Sequence, residues 1–271
     1  MTLLLSEPVL ADGFRELLKA WRQQRRLSQL DLALTCGVSQ RHVSFLESGR
    51  ARPSRNMILR LSETLDVPLR DRNHLLTAAG FAPIFKARSL DDPQMNQVMA
   101  AVQMMLANHA PFPALAIDRA WNIVLTNEPF ERLARIIGDD VWDRVGSDRR
   151  NLMRLFFHAE GIRSFVTNWS EISPLLWLRA QREADALGGQ DMRDILQALR
   201  GHQDQATLNG AQGSGLVPIL PLKICKDGLV LSLFTVIATF GTAQDITADE
   251  LRVESLFPAD EATDKLLRGF A

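Results

Sequence analysis

Between residues 11 and 80 the apolar positions recur at helical spacing, in short runs joined by tight polar connections, and nowhere alternate as in a strand. This pattern predicts a domain of short helices over 11–82. From Pro83 to Pro93 the segment "PIFKARSLDDP" loses that period and mixes charges, so 83–93 reads as a linker. "MNQVMAAVQMMLANHA" restores the helical pattern, with Met, Val and Leu on one face. After "PFP" the runs "ALAID" and "NIVLT" are short and β-rich, and "PFERLARII" is helical again.

The middle, from Arg149 to Leu199, reads as helix, and "GAQGSG" as a loop. Two β-branched runs follow, "LVPILPLKIC" and "LVLSLFTVIATF", joined by Lys226-Asp227-Gly228, whose Asp-Gly is a strong hairpin signal. Pro218 and Pro221 demote the first run to an edge or bulged strand. "ELRVESLF" alternates as a third strand, and "DEATDKLLRGF" closes with a helix. Residues 94–271 are therefore expected to form an α+β domain behind a mainly α one.

Composition places the chain among ordinary globular proteins: 271 residues, 46% hydrophobic and 23% charged. The early "LLL" lacks a basic lead and is followed by Glu7, and no apolar run reaches the roughly 18 residues of a membrane span. The expectation is a cytoplasmic protein without membrane attachment. The net charge of −1 hides an asymmetry: 12 Lys/Arg against 8 Asp/Glu up to Gly80 leave 19 against 24 beyond it, +4 against −5. A basic head on an acidic body suggests that the head alone meets a polyanion. Cys36 and Cys225 lie far apart, and the five histidines show no ligand spacing, so no disulfide or metal site is expected. "GAQGSG" lacks the strand and lysine of a phosphate loop, and no Gly-x-Ser-x-Gly occurs. Nothing in the sequence asks for an active site or a cofactor.

Ser-Gln occurs twice, eleven residues apart, as Ser28-Gln29 and Ser39-Gln40, each opening an apolar-rich segment. A serine hydroxyl caps a helix by accepting from an unpaired amide of its first turn, and Asp31, three residues after Ser28, makes an approximate capping box. Gly37 supports a sharp turn with Val38 as its apolar plug, so the two helices should cross steeply, as in a helix-turn-helix. Leu30, Ala33, Val38, Val43 and Leu46 are the expected core of the pair, with Arg41, His42 and Ser44 facing outward. Both glutamines then stand at exposed helix tips. Gln29 is placed to donate to a phosphate beside the positive end of its helix, and Gln40 to pair bidentately with an adenine edge in the major groove. Arg50 and Arg52 follow Gly49 in a loop suited to the phosphate backbone, and Arg25 and Arg26 precede the unit.

The stretch from Trp21 to Phe81 resembles the Xre-type, lambda-repressor-like helix-turn-helix domain. It carries that family's Ser-Gln-x-x-Leu-Ala, Gly-Val-Ser, Glu-x-Gly-x-x-x-Pro and Leu-x-Val. The resemblance implies a five-helix DNA-binding domain, with Gln29 and Arg52 as phosphate contacts and Ser39, Gln40, Arg41 and Ser44 in the recognition helix. The second domain is similar to the ligand-binding domain of MmyB-like regulators in "HAPFPALAIDRAWNIVLTNEPFERL", "RRNLMRLFFHAEGIRSFVTNW" and "ATFGTAQDITADELRVESLFPADEAT". That family is PAS-like, and the resemblance implies a sensor of a small molecule such as a fatty acid or similar lipid. Thr126 departs from it, because many members have tryptophan there.

Phe156, Phe157, Phe165, Trp169 and Trp177 read, on spacing alone, as core. With Phe234 and Phe240 they are also numerous enough that some should line a cavity between the C-terminal strands and the central helices. There each buried CH₂ of a ligand contributes roughly 0.8 kcal/mol. Arg150, Asn151 and Arg154 are the residues expected to meet a carboxylate head. The reading is a transcriptional regulator that binds a double-stranded operator and an apolar ligand. One recognition helix reads few base pairs, so a homodimer on half-sites about 10 bp apart is expected, with the Met-rich helix either its interface or packed on its own domain. Two rivals stand: a second domain that binds a partner protein, and one that is an enzyme.

Overall fold

A computed structural model describes residues 13–138, 140–146, 150–186, 190–202 and 218–269. "GAQGSG" and Arg149 lie outside the described residues. The chain divides into two compact units, with the break between Ala87 and Arg88 and with Gln244–Ile246 belonging to the first.

Among the described residues the first unit contains five helices: α1 (Phe14–Gln24), α2 (Gln29–Cys36), α3 (Gln40–Glu47), α4 (Arg55–Thr64) and α5 (Leu69–Ala78). This is the five-helix helix-turn-helix architecture. Serine starts three of the helices: the hydroxyls of Ser28, Ser39 and Ser54 accept from the amides of Asp31, His42 and Met57. At Ser28 the capping box closes, because the Asp31 carboxylate accepts from the Ser28 amide at 2.9 Å. Between α2 and α3 the chain reverses at Gly37, whose φ of 61° lies in the left-handed region that glycine enters without penalty.

The register set by the Ser28 cap turns Leu32, Ala33 and Cys36 inward. Leu30 was expected in the core and is not there: it is 48% exposed, beside Leu34 on the opposite face of α2. Residues four apart share a helix face, so the core place belongs to Leu32. Around it Leu18, Val43, Leu46, Ile58 and Leu61 are fully buried. Asn73 extends this unit past α5, its side chain accepting from the amides of Ile84 and Phe85 and donating to the Phe85 carbonyl.

The second unit opens with a 3-10 turn at Pro93–Met95 and α6 (Asn96–Asn108), then β1 (Ala114–Ile117), β2 (Ile123–Thr126), α7 (Glu128–Ile137) and α8 (Asp140–Arg144). The central helices are α9 (Leu152–Phe157), α10 (Trp169–Ala186) and α11 (Gln190–Leu199), with short 3-10 pieces at Ile162–Phe165 and Arg200–His202. The C-terminal part supplies β3 (Leu222–Lys226), β4 (Leu229–Thr239), α12 (Ile246–Glu250), β5 (Arg252–Pro258) and α13 (Glu261–Gly269). The strands form one antiparallel sheet in the order β2-β1-β5-β4-β3, the α+β, PAS-like arrangement expected. β3 starts directly after Pro221 at the sheet edge, where the missing amide costs no ladder bond. Its hairpin to β4 turns on Asp227 (φ 49°) and Gly228 (φ 85°), both left-handed as a type I′ turn requires.

β1 is buried on both faces. Ala114 and Ala116 pack against Val102 and Leu106 of α6, while Leu115 and Ile117 join the larger core with the central helices. The Met-rich helix thus packs on its own domain and leaves Met104 and Met105 exposed.

Candidate functional site

At the head of the protein the exposed tip of α3 presents Gln40 and Arg41, with Ser44 half-buried one turn on. Ser39, the cap, holds this tip in place. The Arg41 and Arg50 guanidinium groups lie over the Phe45 ring, at 5.1 and 5.9 Å from its centroid. One half-buried ring therefore positions a cation at the start of α3 and another in the loop after it. Arg52 is exposed in that loop.

Gln29 is more constrained than its place at a helix start suggested. Its side-chain amide donates to Glu47 Oε2 at 2.8 Å. Glu47 also accepts from Arg22 Nε at 2.6 Å and Nη2 at 2.9 Å, and Arg22 reaches the Leu27 carbonyl. Burial would raise the Glu47 carboxyl, but the bonds from Arg22 and Gln29 outweigh it and hold the group below its ordinary range. The ion pair thus ties α1, the start of α2 and the end of α3 together. A glutamine amide has two N–H donors, so the bond to Glu47 orients Gln29 without exhausting it.

In the second unit a cavity of about 320 Å³ opens between the sheet and the helices, near the lower end of the about 300–1,000 Å³ range of small-molecule sites. Its walls are almost wholly apolar: Leu115 of β1, Phe130 and Leu133 of α7, Trp142 of α8, Ile172 and Leu176 of α10, and strand residues including Leu233 and Leu256. Phe156 and Phe234 of the expected aromatic set line it. Phe157 is fully buried in the core instead, edge-on to Trp169 and Trp177 at 5.2 Å from each. Phe165 lies under the Lys226 ammonium, and Phe240 packs with the α6 cluster.

The three expected head-group residues do not reach the walls. Arg150 Nη1 donates to both oxygens of Glu131, at 2.9 and 2.8 Å, and its guanidinium lies over Trp142. Asn151 is buried, caps α9 and donates to the Ala120 carbonyl and the Asn122 side chain. Arg154 points to the Gly146 carbonyl at 3.4 Å.

The polar end of the cavity is built from residues the sequence reading passed over. Arg179, on α10, donates through Nη2 to Glu254 Oε1 at 2.8 Å and through Nε to Glu183 Oε1 at 2.9 Å. Its guanidinium lies 4.5 Å from the Trp121 ring centroid. Glu183 in turn pairs with Arg252 at 2.6 Å and accepts from the Trp121 indole N–H. Burial alone would raise the Glu183 carboxyl; Arg252 and Arg179 reverse this and hold it below its usual range. Two spacings carried the signal: Arg179 and Glu183 are four apart on a helix, and Arg252 and Glu254 two apart on one face of a strand.

A helix-turn-helix head and a body enclosing an apolar cavity define a DNA-binding transcription regulator with a ligand-binding domain. The family comparisons agree: a helix-turn-helix model matches residues 18–71, and the MmyB-like transcription regulator ligand binding domain matches residues 98–269. The chain belongs to the MmyB-like transcription regulators. No curated protein matches the sequence. Among solved structures, an RNA-binding light-oxygen-voltage receptor is similar at 16% identity, over 93% of this chain and 55% of its own, with a TM-score of 0.26. The chain thus spans about half of that receptor.

Proposed function

We propose that this regulator reads its operator through Gln40, Arg41 and Ser44, with Ser39 capping the recognition helix and Gln29, Arg50 and Arg52 meeting phosphates. It acts in the cytoplasm as a homodimer, without catalysis, and responds to an apolar small molecule held in its second domain. The observation that supports this most is the cavity, whose walls between sheet and helices are hydrocarbon and aromatic on nearly every side. The alkyl chain of a fatty acid or similar lipid, the ligand class the resemblance implies, suits such walls, at roughly 0.8 kcal/mol per buried CH₂. The test is organic extraction and mass spectrometry of the purified protein, followed by operator binding of stripped and reloaded protein. The expected outcome is a co-purifying apolar compound that changes operator affinity when restored. A strict one-to-one protein–DNA complex in light scattering would count against the dimer.

A further inference from the structure

Among the described residues that line the cavity, Arg179 and Glu254 are the charged side chains. The Arg179 guanidinium is bound by Glu254 and Glu183, and Glu183 also by Arg252. Two guanidiniums therefore face two carboxylates, and the polar end of the cavity carries no net charge. Glu254 is buried and stands nearest the ligand space of the two acids. A ligand carboxylate entering here would bring a third negative charge up to Glu254. A carboxylate that reached Arg179 would stand against Glu254 on a guanidinium whose charge Glu254 and Glu183 already balance, leaving an uncompensated negative charge in a buried site, which is costly in a protein interior. Arg150 and Arg154, expected to meet such a head, do not line the walls: Arg150 is paired with Glu131 and Arg154 points to the Gly146 carbonyl.

A neutral polar end meets none of these penalties. A hydroxyl or amide N–H can donate to the Glu254 carboxylate, which keeps acceptor capacity beyond its bond to Arg179. We infer that the cavity selects an uncharged ligand, an apolar body ending in a hydrogen-bond donor such as a hydroxyl or primary amide, and discriminates against the same body ending in a carboxylate. Glu254 is the residue that sets this choice. The inference rests on the cavity being the ligand site, as proposed above.

The test is calorimetric titration of the delipidated full-length protein with chain-matched n-alkanols, alkanamides and alkanoic acids of roughly eight to fourteen carbons, each below its aggregation limit. At pH 8 the alcohol or amide should bind about tenfold or more tightly than the acid of equal length, given the penalty for burying an unpaired charge. Lowering the pH to 6 should strengthen binding of the acid by up to about tenfold per unit, as its neutral form grows, while the alcohol gains no such increment. Glu254→Gln leaves the site with one positive charge in excess, so the preference should shift towards the acid. Acids that bind the wild type at pH 8 as tightly as their alcohols would overturn the inference while leaving the ligand site intact. Saturable binding by none of the three series would overturn the ligand reading itself, and the inference with it.

Discussion

At the scale of single residues, the contacts proposed for the head separate groups that would choose a sequence from groups that would hold the duplex. Gln40 is exposed at the tip of α3, and a glutamine amide donates and accepts at once, matching the edge of adenine in the major groove. Arg52 is exposed in the following loop, and in the proposed reading its cation meets the backbone that all sequences share. Gln40→Ala should therefore flatten discrimination at one base pair and cost about 1–3 kcal/mol on the best site. Arg52→Ala should weaken every site by a similar factor and lower the salt dependence. Binding measured across a panel of single-base operator variants separates the two. An unaltered preference in Gln40→Ala would remove that residue from direct readout.

At the scale of elements, buried asparagines fasten the second unit where helices meet strands. Asn127 accepts through Oδ1 from the amides of Ala114 and Phe130, and donates through Nδ2 to the carbonyls of Leu106 and Phe112. One side chain thus joins the ends of α6 and α7 to the start of β1. Asn127→Ala would strand several buried groups and should cost about 3 kcal/mol, since each unsatisfied one costs roughly 1–3 and the losses are not additive. Asn127→Asp keeps the acceptor but loses the donor, so it should recover only part of this. Chemical denaturation followed by tryptophan fluorescence reads it, as four of the five tryptophans lie beyond Arg88. A midpoint unmoved in Asn127→Ala would refute the fastening role. The elements themselves were legible where a local rule sets them: the serine caps, the glycine turn and the Asp-Gly hairpin all fall where the sequence signals put them. Leu30 was misplaced because a short helix offers two apolar faces and the cap register decides between them. The cavity was legible as a class but not by address. Phe157 and Trp169 fill core, as their spacing reads, but the sequence does not separate them from Phe156 and Phe234, which line the cavity, and Arg179 and Glu254 are 75 residues apart and meet only through the sheet.

At the scale of the whole molecule, binding to the cavity and regulation of the operator are different claims with different tests. Any ligand of the folded second unit will stabilise it by mass action, by about 2.7 kcal/mol at a hundred times its dissociation constant, whether or not DNA is affected. Regulation needs more: the ligand must bind DNA-competent and DNA-incompetent states unequally, and that inequality is the whole of its effect. Linkage then fixes a quantitative demand. If saturating ligand changes operator affinity by some factor, saturating operator must change ligand affinity by the same factor and in the same direction. The two can be measured independently, the first by anisotropy of labelled operator with stripped and loaded protein, the second by calorimetric titration of ligand into free and operator-bound protein. Equal factors, displaced from unity by about 5- to 150-fold as couplings of 1–3 kcal/mol give, are the expected result. A ligand that raises the unfolding midpoint of the second unit but leaves operator affinity unchanged would be a structural filler of the cavity, and the sensor reading would have to be given up.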